Sequence, residues 1–287
     1  MFKKNNSIGM TLIELMFALV LSILMIGSLF EMYLIAENNK IAQETVISMQ
    51  ENAQIISEIL KQRMRGLSYT GCAKLTSDFP FTNHLSFPLS QKNRIEPYHS
   101  SDVKKGTDAI QLWYLSEKSA ILIEKMRDYS HLSLSASLSI SPNDYLIISD
   151  CKTAETFQVK EIFPLDHGRQ EIVLAEPLNK LYEINAEINS LQIEDYFIGQ
   201  TERYDEYHRP IDALYSKDSQ GHKLELVEGV SQMKIFFSTA EENHLIEYPL
   251  EKITSANEIE SISFSFDLTS VSRFDLHKKW NVYVALS

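Results

Sequence analysis

The chain has little of what enzymes commonly display. Its two cysteines, Cys72 and Cys151, form no C-x-x-C, which disfavours zinc-ribbon and thioredoxin-type chemistry. Its eight histidines contain no H-E-x-x-H and no close pair, so no zinc site is expected. There is no G-x-S-x-G and no phosphate-binding loop, which removes two common catalytic readings. The chain is therefore not read as an enzyme, and no catalytic residue, metal or cofactor is expected. Basic excess is missing too. Up to Arg65 six basic residues balance six acidic ones, whereas from Gly66 onward 21 basic residues face 33 acidic ones. That imbalance argues against direct binding of nucleic acid or anionic lipid by the C-terminal part, because both are polyanions.

Glycine and proline are absent from Ser28 to Arg65, a stretch of mostly good helix formers. Before it, Met10 to Phe30 is 21 residues long and carries one charge, Glu14. At 1.5 Å per residue such a helix just spans about 30 Å of hydrocarbon. Lys3 and Lys4 precede it, so the N-terminus stays cytoplasmic and the remainder is exported. A cleaved secretory signal would have a shorter apolar run and a small-x-small site after it; the run here is longer and no such site follows. In the second half Ala42, Val46, Met49, Ala53, Ile56, Leu60 and Met64 recur at 3–4 spacing, with Glu44, Glu51, Glu58 and Lys61 elsewhere. One buried face is expected there, and Gly66 is the expected stop. A helix from Thr11 to Arg65 would be about 80 Å long. A membrane anchor that continues as the spine of a soluble domain is the simplest reading. A coiled coil of like chains fits less well, because the heptads are few and contain alanines.

Glu14 is costly in an anchor. A charged side chain at the bilayer centre costs roughly 2.5–3.5 kcal/mol on insertion scales, and such a residue usually marks function and seeks a partner. A cut between Gly9 and Met10 would create an α-amino group four residues before it. On a neighbouring chain that amine can pair with the carboxylate, so helices in a low-dielectric bundle would pack favourably only in one register.

The stretch "GMTLIELMFALVLSILMIG" after a short Lys-containing leader closely resembles the N-terminus of type IV prepilins and type II secretion pseudopilins. The resemblance implies cleavage after Gly9 by prepilin peptidase, N-methylation of Met10, and a role for Glu14 in assembly. The expected organisation is a leader over 1–9, a transmembrane half-helix over 10–30, an amphipathic half over 31–66, and a periplasmic β-rich domain over 67–287.

After Gly66 the pattern changes. Residues 73–106 hold Pro80, Pro88 and Pro97 among many Ser, Asn and Lys and read as a long surface segment. "DAIQLWYL" (108–115), "YLIISDC", "TFQVKEI", "RQEIVLA" and "KLELVEGVSQMKIFFS" read as strands. "HLSLSASLSIS" (131–141) alternates strictly and reads as a strand or a Ser-rich loop. "SISFSFDLTS" sets Ile262, Phe264, Phe266 and Leu268 on one face, and "WNVYVALS" does so for Trp280, Val282, Val284 and Leu286. "DSQGH" (218–222) is too short and too poor in carboxylates for an EF-hand and reads as a hairpin turn. "TERYDEYHRP" (201–210) is a solvated loop or a partner-contact loop. The expected fold class is α+β, with an antiparallel sheet laid on the amphipathic half of the helix.

The cysteines have two readings. Outside the cytoplasm they can form a disulfide closing a loop of about 80 residues, worth roughly 4–5 kcal/mol in the chain-entropy model; in a cytosolic chain they would be unrelated buried thiols. "MQENAQIISEILKQRMRGLSYTGC" (49–72), "SDCKTAETFQV", "ELVEGVSQMKIFF" and "SISFSFDLTS", in this order, resemble the PilW family of minor pilins. That resemblance implies that Cys72 and Cys151 pair in the periplasm. It also implies a structural protein of the inner membrane and then of the pilus, working in a minor-pilin complex that primes assembly. The implied partners are other minor pilins, the major pilin, prepilin peptidase and the inner-membrane assembly platform. The implied processes are adhesion, twitching motility or DNA uptake. A J-type minor pseudopilin of type II secretion shares the N-terminus, but this chain is long for one.

Overall fold

The computed structural model describes residues 12–67, 69–70, 73–74, 78–89, 94–135, 138–241, 244–252, 259–271 and 276–286. Among the described residues one α-helix, α1 (Leu12–Arg65), precedes sixteen strands. The first nine are β1 (Tyr69–Thr70), β2 (Ala73–Lys74), β3 (Phe81–Asn83), β4 (Ile95–Pro97), β5 (Ile110–Ile121), β6 (His131–Leu134), β7 (Tyr145–Ser149), β8 (Ala154–Pro164) and β9 (Gln170–Leu174). The others are β10 (Glu187–Tyr204), β11 (Pro210–Asp218), β12 (Lys223–Glu228), β13 (Val230–Glu241), β14 (His244–Pro249), β15 (Ile259–Thr269) and β16 (His277–Ala285). The chain divides into two compact units, Met1–Ser48 and Met49–Ser287.

In the first unit the residues of α1 from Leu12 to Ile35 are exposed throughout. The helix is long and apolar enough to cross a membrane. Its serines satisfy themselves within the helix: the Ser22 hydroxyl donates to the Ala18 carbonyl at 2.7 Å and Ser28 to Met25 at 2.9 Å. Neither serine hydroxyl then needs a partner from the surroundings.

The second unit begins with the last turns of α1. Met49, Ala53, Ile56, Leu60 and Met64 are buried at the expected spacing. Val46, expected on the same stripe, is 40% exposed; one turn before Met49 the buried position is Thr45 instead. The stripe packs against two sheets. One is a four-stranded antiparallel sheet in the order β14-β13-β15-β16; the other has ten strands, among them β12-β11-β10-β7-β8-β9-β6. Ile262, Phe264, Phe266, Leu268 and Val282 join the helix residues in one core with Leu112, Tyr114, Tyr196 and Ile198. Trp280, Val284 and Leu286 lie at its margin, on the face that alternation assigned to them.

β10 ties this core to others. It pairs with β11 over Glu194–Tyr204, with β5 over Glu187–Tyr196 and with β7 over Glu187–Ser190. Tyr196 and Ile198 face the helix-bearing core, Ile188 a second core built on β6 to β9, and Phe197 a small cluster with Tyr215. With different faces buried in different places, Glu187–Tyr204 shows no clean alternation, and neither it nor β11 was evident from pattern. Among the described residues of "HLSLSASLSIS", His131–Leu134 form a strand. The Ser135 hydroxyl accepts from the Ile121 amide at 3.0 Å and the Ser135 amide donates to the Ile121 carbonyl at 3.0 Å, which closes that strand against β5. The Pro-containing segment 73–106 is mostly irregular where described, yet it lends short strands to both sheet margins: β3 runs parallel to β8 and β4 antiparallel to β5.

Gly66 does more than stop the helix. Its carbonyl accepts from the Leu115 amide at 3.0 Å, and a Cβ there would meet the Leu115 carbonyl oxygen at 2.5 Å. Gly66→Ala must push the helix end off β5, and we expect a loss of about 1–3 kcal/mol by the usual cost of overpacking. The midpoint of urea unfolding measures this; an unchanged midpoint contradicts the contact.

Candidate functional site

Glu14 lies in the first turn of α1, where the helix dipole favours a carboxylate. It is the single charged residue between Leu12 and Phe30, and the side chains on every side of it are apolar and exposed: Leu12, Ile13, Leu15, Met16 and Phe17. The arrangement offers one acidic group on a surface that is otherwise uncharged and mostly apolar. Gly9 and Met10, the expected processing site, lie outside the described residues, as does Cys72.

Cys151 sits in the turn that follows β7, with φ +66°, and carries no free thiol. The turn is tightly bonded. Asp150 Oδ1 accepts from the Lys152 amide at 3.2 Å and the Thr153 amide at 3.0 Å, and Lys180 pairs with the same carboxylate. Burial works against its charge, but Lys180 and the backbone amides outweigh it and hold the Asp150 carboxyl below its ordinary range. Nearby, the buried Thr70 hydroxyl donates to the buried Ser149 hydroxyl at 3.2 Å. The stretch after the helix is thus fixed against the end of β7.

Two further polar clusters were not evident from sequence. In the first, Glu155 is only 3% exposed. Its Oε2 accepts from His84 Nε2 at 2.6 Å and from the Asn179 amide at 2.8 Å, and its Oε1 from the Tyr182 hydroxyl at 3.3 Å. Three donors satisfy a carboxylate that would otherwise be expensive to bury. The cluster pins β3 and the 179–182 turn onto β8. In the second, Arg63 on the helix reaches Glu194 at 3.4 Å and stacks over the Tyr114 ring. Burial pushes the Tyr114 and Tyr196 phenols above their ordinary range, and the Glu194 carboxylate adds to this, so both stay neutral. The contacts to Glu155 and from Arg63 join residues 24 to 131 positions apart in sequence, beyond the reach of any local pattern.

The segment "TERYDEYHRP" proves to be the end of β10 and a tight turn. Asp205 Oδ1 accepts from the Tyr207 and Arg209 amides at 2.9 and 2.8 Å, and Oδ2 pairs with Arg209 Nε at 2.7 Å. Tyr204 and Tyr207 remain exposed. "DSQGH" is the turn between β11 and β12, with Asp218 accepting from the Gln220 and His222 amides. Among the described residues no group of three His, Cys, Asp or Glu side chains is placed to hold a metal.

No protein-family model, curated protein or solved structure matches the chain.

Proposed function

We propose that the chain is a minor pilin of the PilW type: a structural subunit, anchored by α1 in the inner membrane and incorporated with other minor pilins into a complex that primes a type IV pilus. One observation carries this reading. Glu14 is the single charged residue on the exposed, predominantly apolar first part of α1, Leu12–Phe30, and the same helix supplies the buried spine of an antiparallel β domain. An anchored enzyme or sensor has no need of that carboxylate. In this reading prepilin peptidase cuts after Gly9, the new Met10 amine is methylated, and Glu14 of one subunit pairs with the amine of another. The domain then lies in the periplasm, and Cys72 and Cys151 form a disulfide. The bond between Thr70 and Ser149 favours that pairing, since each residue stands two positions before one of the cysteines.

Replacement of Gly9 by leucine tests the reading. The expected result is uncut precursor in the membrane and none of the chain in sheared fibres. Normal processing of Gly9→Leu would remove the prepilin assignment. Thiol labelling of the exported protein under denaturing conditions is expected to find no reactive cysteine before reduction and two after it. Two free thiols before reduction would refute the disulfide.

A further inference from the structure

The four-stranded sheet ends on β16. Its ladder with β15 runs from Thr269↔His277 to Ser261↔Ala285 with no register shift. Bonds just beyond the two ends fix its parity: the Leu286 amide donates to Glu260 at 2.8 Å, and the Ser270 amide to Leu276 at 3.0 Å. In an antiparallel pair, bonded positions alternate with positions whose backbone groups turn away. Even-numbered residues of β16 are therefore bonded to β15. Lys279, Asn281, Tyr283 and Ala285 turn their N–H and C=O groups to the other side, where no strand pairs with them among the described residues. Their side chains are exposed, Tyr283 by 55%.

Sheet edges are commonly blunted by proline, charge, bulges or shortness. At the other margin of this sheet β14 has six residues and ends in Pro249. In the larger sheet β12 is interrupted by a register shift and bridged by Arg203 to Glu225 and Glu228. β16 differs. Its charges are confined to the start, Lys278 and Lys279, and Trp280 to Ala285 holds no charge, proline or glycine. On the inner face Trp280 and Val284 pack against the helix-bearing core and yet stay partly exposed. The core reaches solvent along this strand.

We propose that β16 is a docking edge, on which an extended acidic segment of a different subunit pairs as a fifth strand; this rests on the assembly reading above. Backbone bonds at Lys279, Asn281, Tyr283 and Ala285 supply affinity, and side chains at alternate positions supply specificity. Apolar residues of the incoming strand cover Trp280 and Val284, and its carboxylates meet Lys278 and Lys279. The charge is complementary: Lys278 and Lys279, at the start of an edge that carries no other Lys, Arg, Asp or Glu, attract carboxylates. A second copy is disfavoured by symmetry. Two β16 strands paired about Asn281 are related by a two-fold axis through the sheet, which would make the two Met49–Arg65 segments run in opposite directions. Chains anchored N-terminally in one membrane enter their domains in the same direction.

The test uses the full chain in detergent, alone and after co-purification with each prepilin-type subunit of the same cell, by residue-resolved amide hydrogen exchange. Alone, the Lys279, Asn281, Tyr283 and Ala285 amides are expected to exchange fast, and in the complex at least tenfold more slowly. Asn281→Pro removes an amide that bonds to nothing in the sheet, so unfolding should be little changed while co-purification falls at least tenfold. Lys279→Glu should weaken the complex and abolish its salt dependence. A complex that forms with these amides still fast, or with Asn281→Pro binding normally, overturns the proposal. So does protection that appears without any other subunit and grows with protein concentration, which would assign the edge to a second copy. Absence of any complex while the chain is normally cut after Gly9 counts against the edge; absence of the cut counts against the assembly reading itself.

Discussion

Glu14→Ala is expected to be inserted and cut normally and then to fail at assembly. In the proposed reading the peptidase acts on the leader and the bond after Gly9, neither of which the substitution touches. Insertion should improve if anything, since a carboxylate in hydrocarbon costs roughly 2.5–3.5 kcal/mol that alanine does not incur. The loss comes later. In the proposed bundle each Glu14 meets the amine of a neighbour, and removing one member of such a buried pair leaves the other charged and alone, at a cost of about 3–5 kcal/mol. That corresponds to a decrease in association of about two to four orders of magnitude. Glu14→Gln keeps the shape and a hydrogen bond but not the charge, and should fall between. The check is the ratio of the chain in sheared fibres to the chain in membranes, measured for both variants beside the native protein. Fibres carrying Glu14→Ala at the native ratio would remove the role assigned to this residue.

The second large effect is expected at Ile56. This residue is 0% exposed and lies on the helix stripe against strands of both sheets. In Ile56→Asp the lost packing alone costs about 2–5 kcal/mol, by analogy with large-to-small core changes. The carboxyl then finds itself in an apolar core without a donor, at a further cost of several kcal/mol even if it takes up a proton. Whole domains are stable by only about 5–15 kcal/mol. The variant should therefore yield no protease-resistant 49–287 fragment. Ile56→Val should fold and lose about 0.5–1.5 kcal/mol, and alanine at the exposed Glu58 should stay within about 0.5 kcal/mol of the native chain. A protease-resistant domain in Ile56→Asp would mean that the helix is not the spine of this fold.

The helix was legible because its signals are local. The absence of glycine and proline, the 3–4 spacing from Met49 to Met64 and the stop at Gly66 all act within a few turns. Strands with one buried face were legible for the same reason: Ile262, Phe264, Phe266 and Leu268 alternate cleanly and are all buried. β10 was not, since its eighteen residues serve more than one core and alternate for none of them. Contacts that join distant segments were illegible in principle. Nothing near His84 announces that its ring meets Glu155, 71 residues on, and nothing near Arg63 announces Glu194. Of the candidate site, Glu14 was evident as an anomaly in an apolar run. The free edge of β16 emerged only once the ladder parity assigned which backbone groups point outward.

The most direct measurement is the mass of the N-terminal peptide of the chain extracted from membranes. The account predicts that this peptide begins at Met10 and carries one methyl group on its α-amine. A peptide that begins at Met1, or at a residue beyond the apolar run, would contradict it.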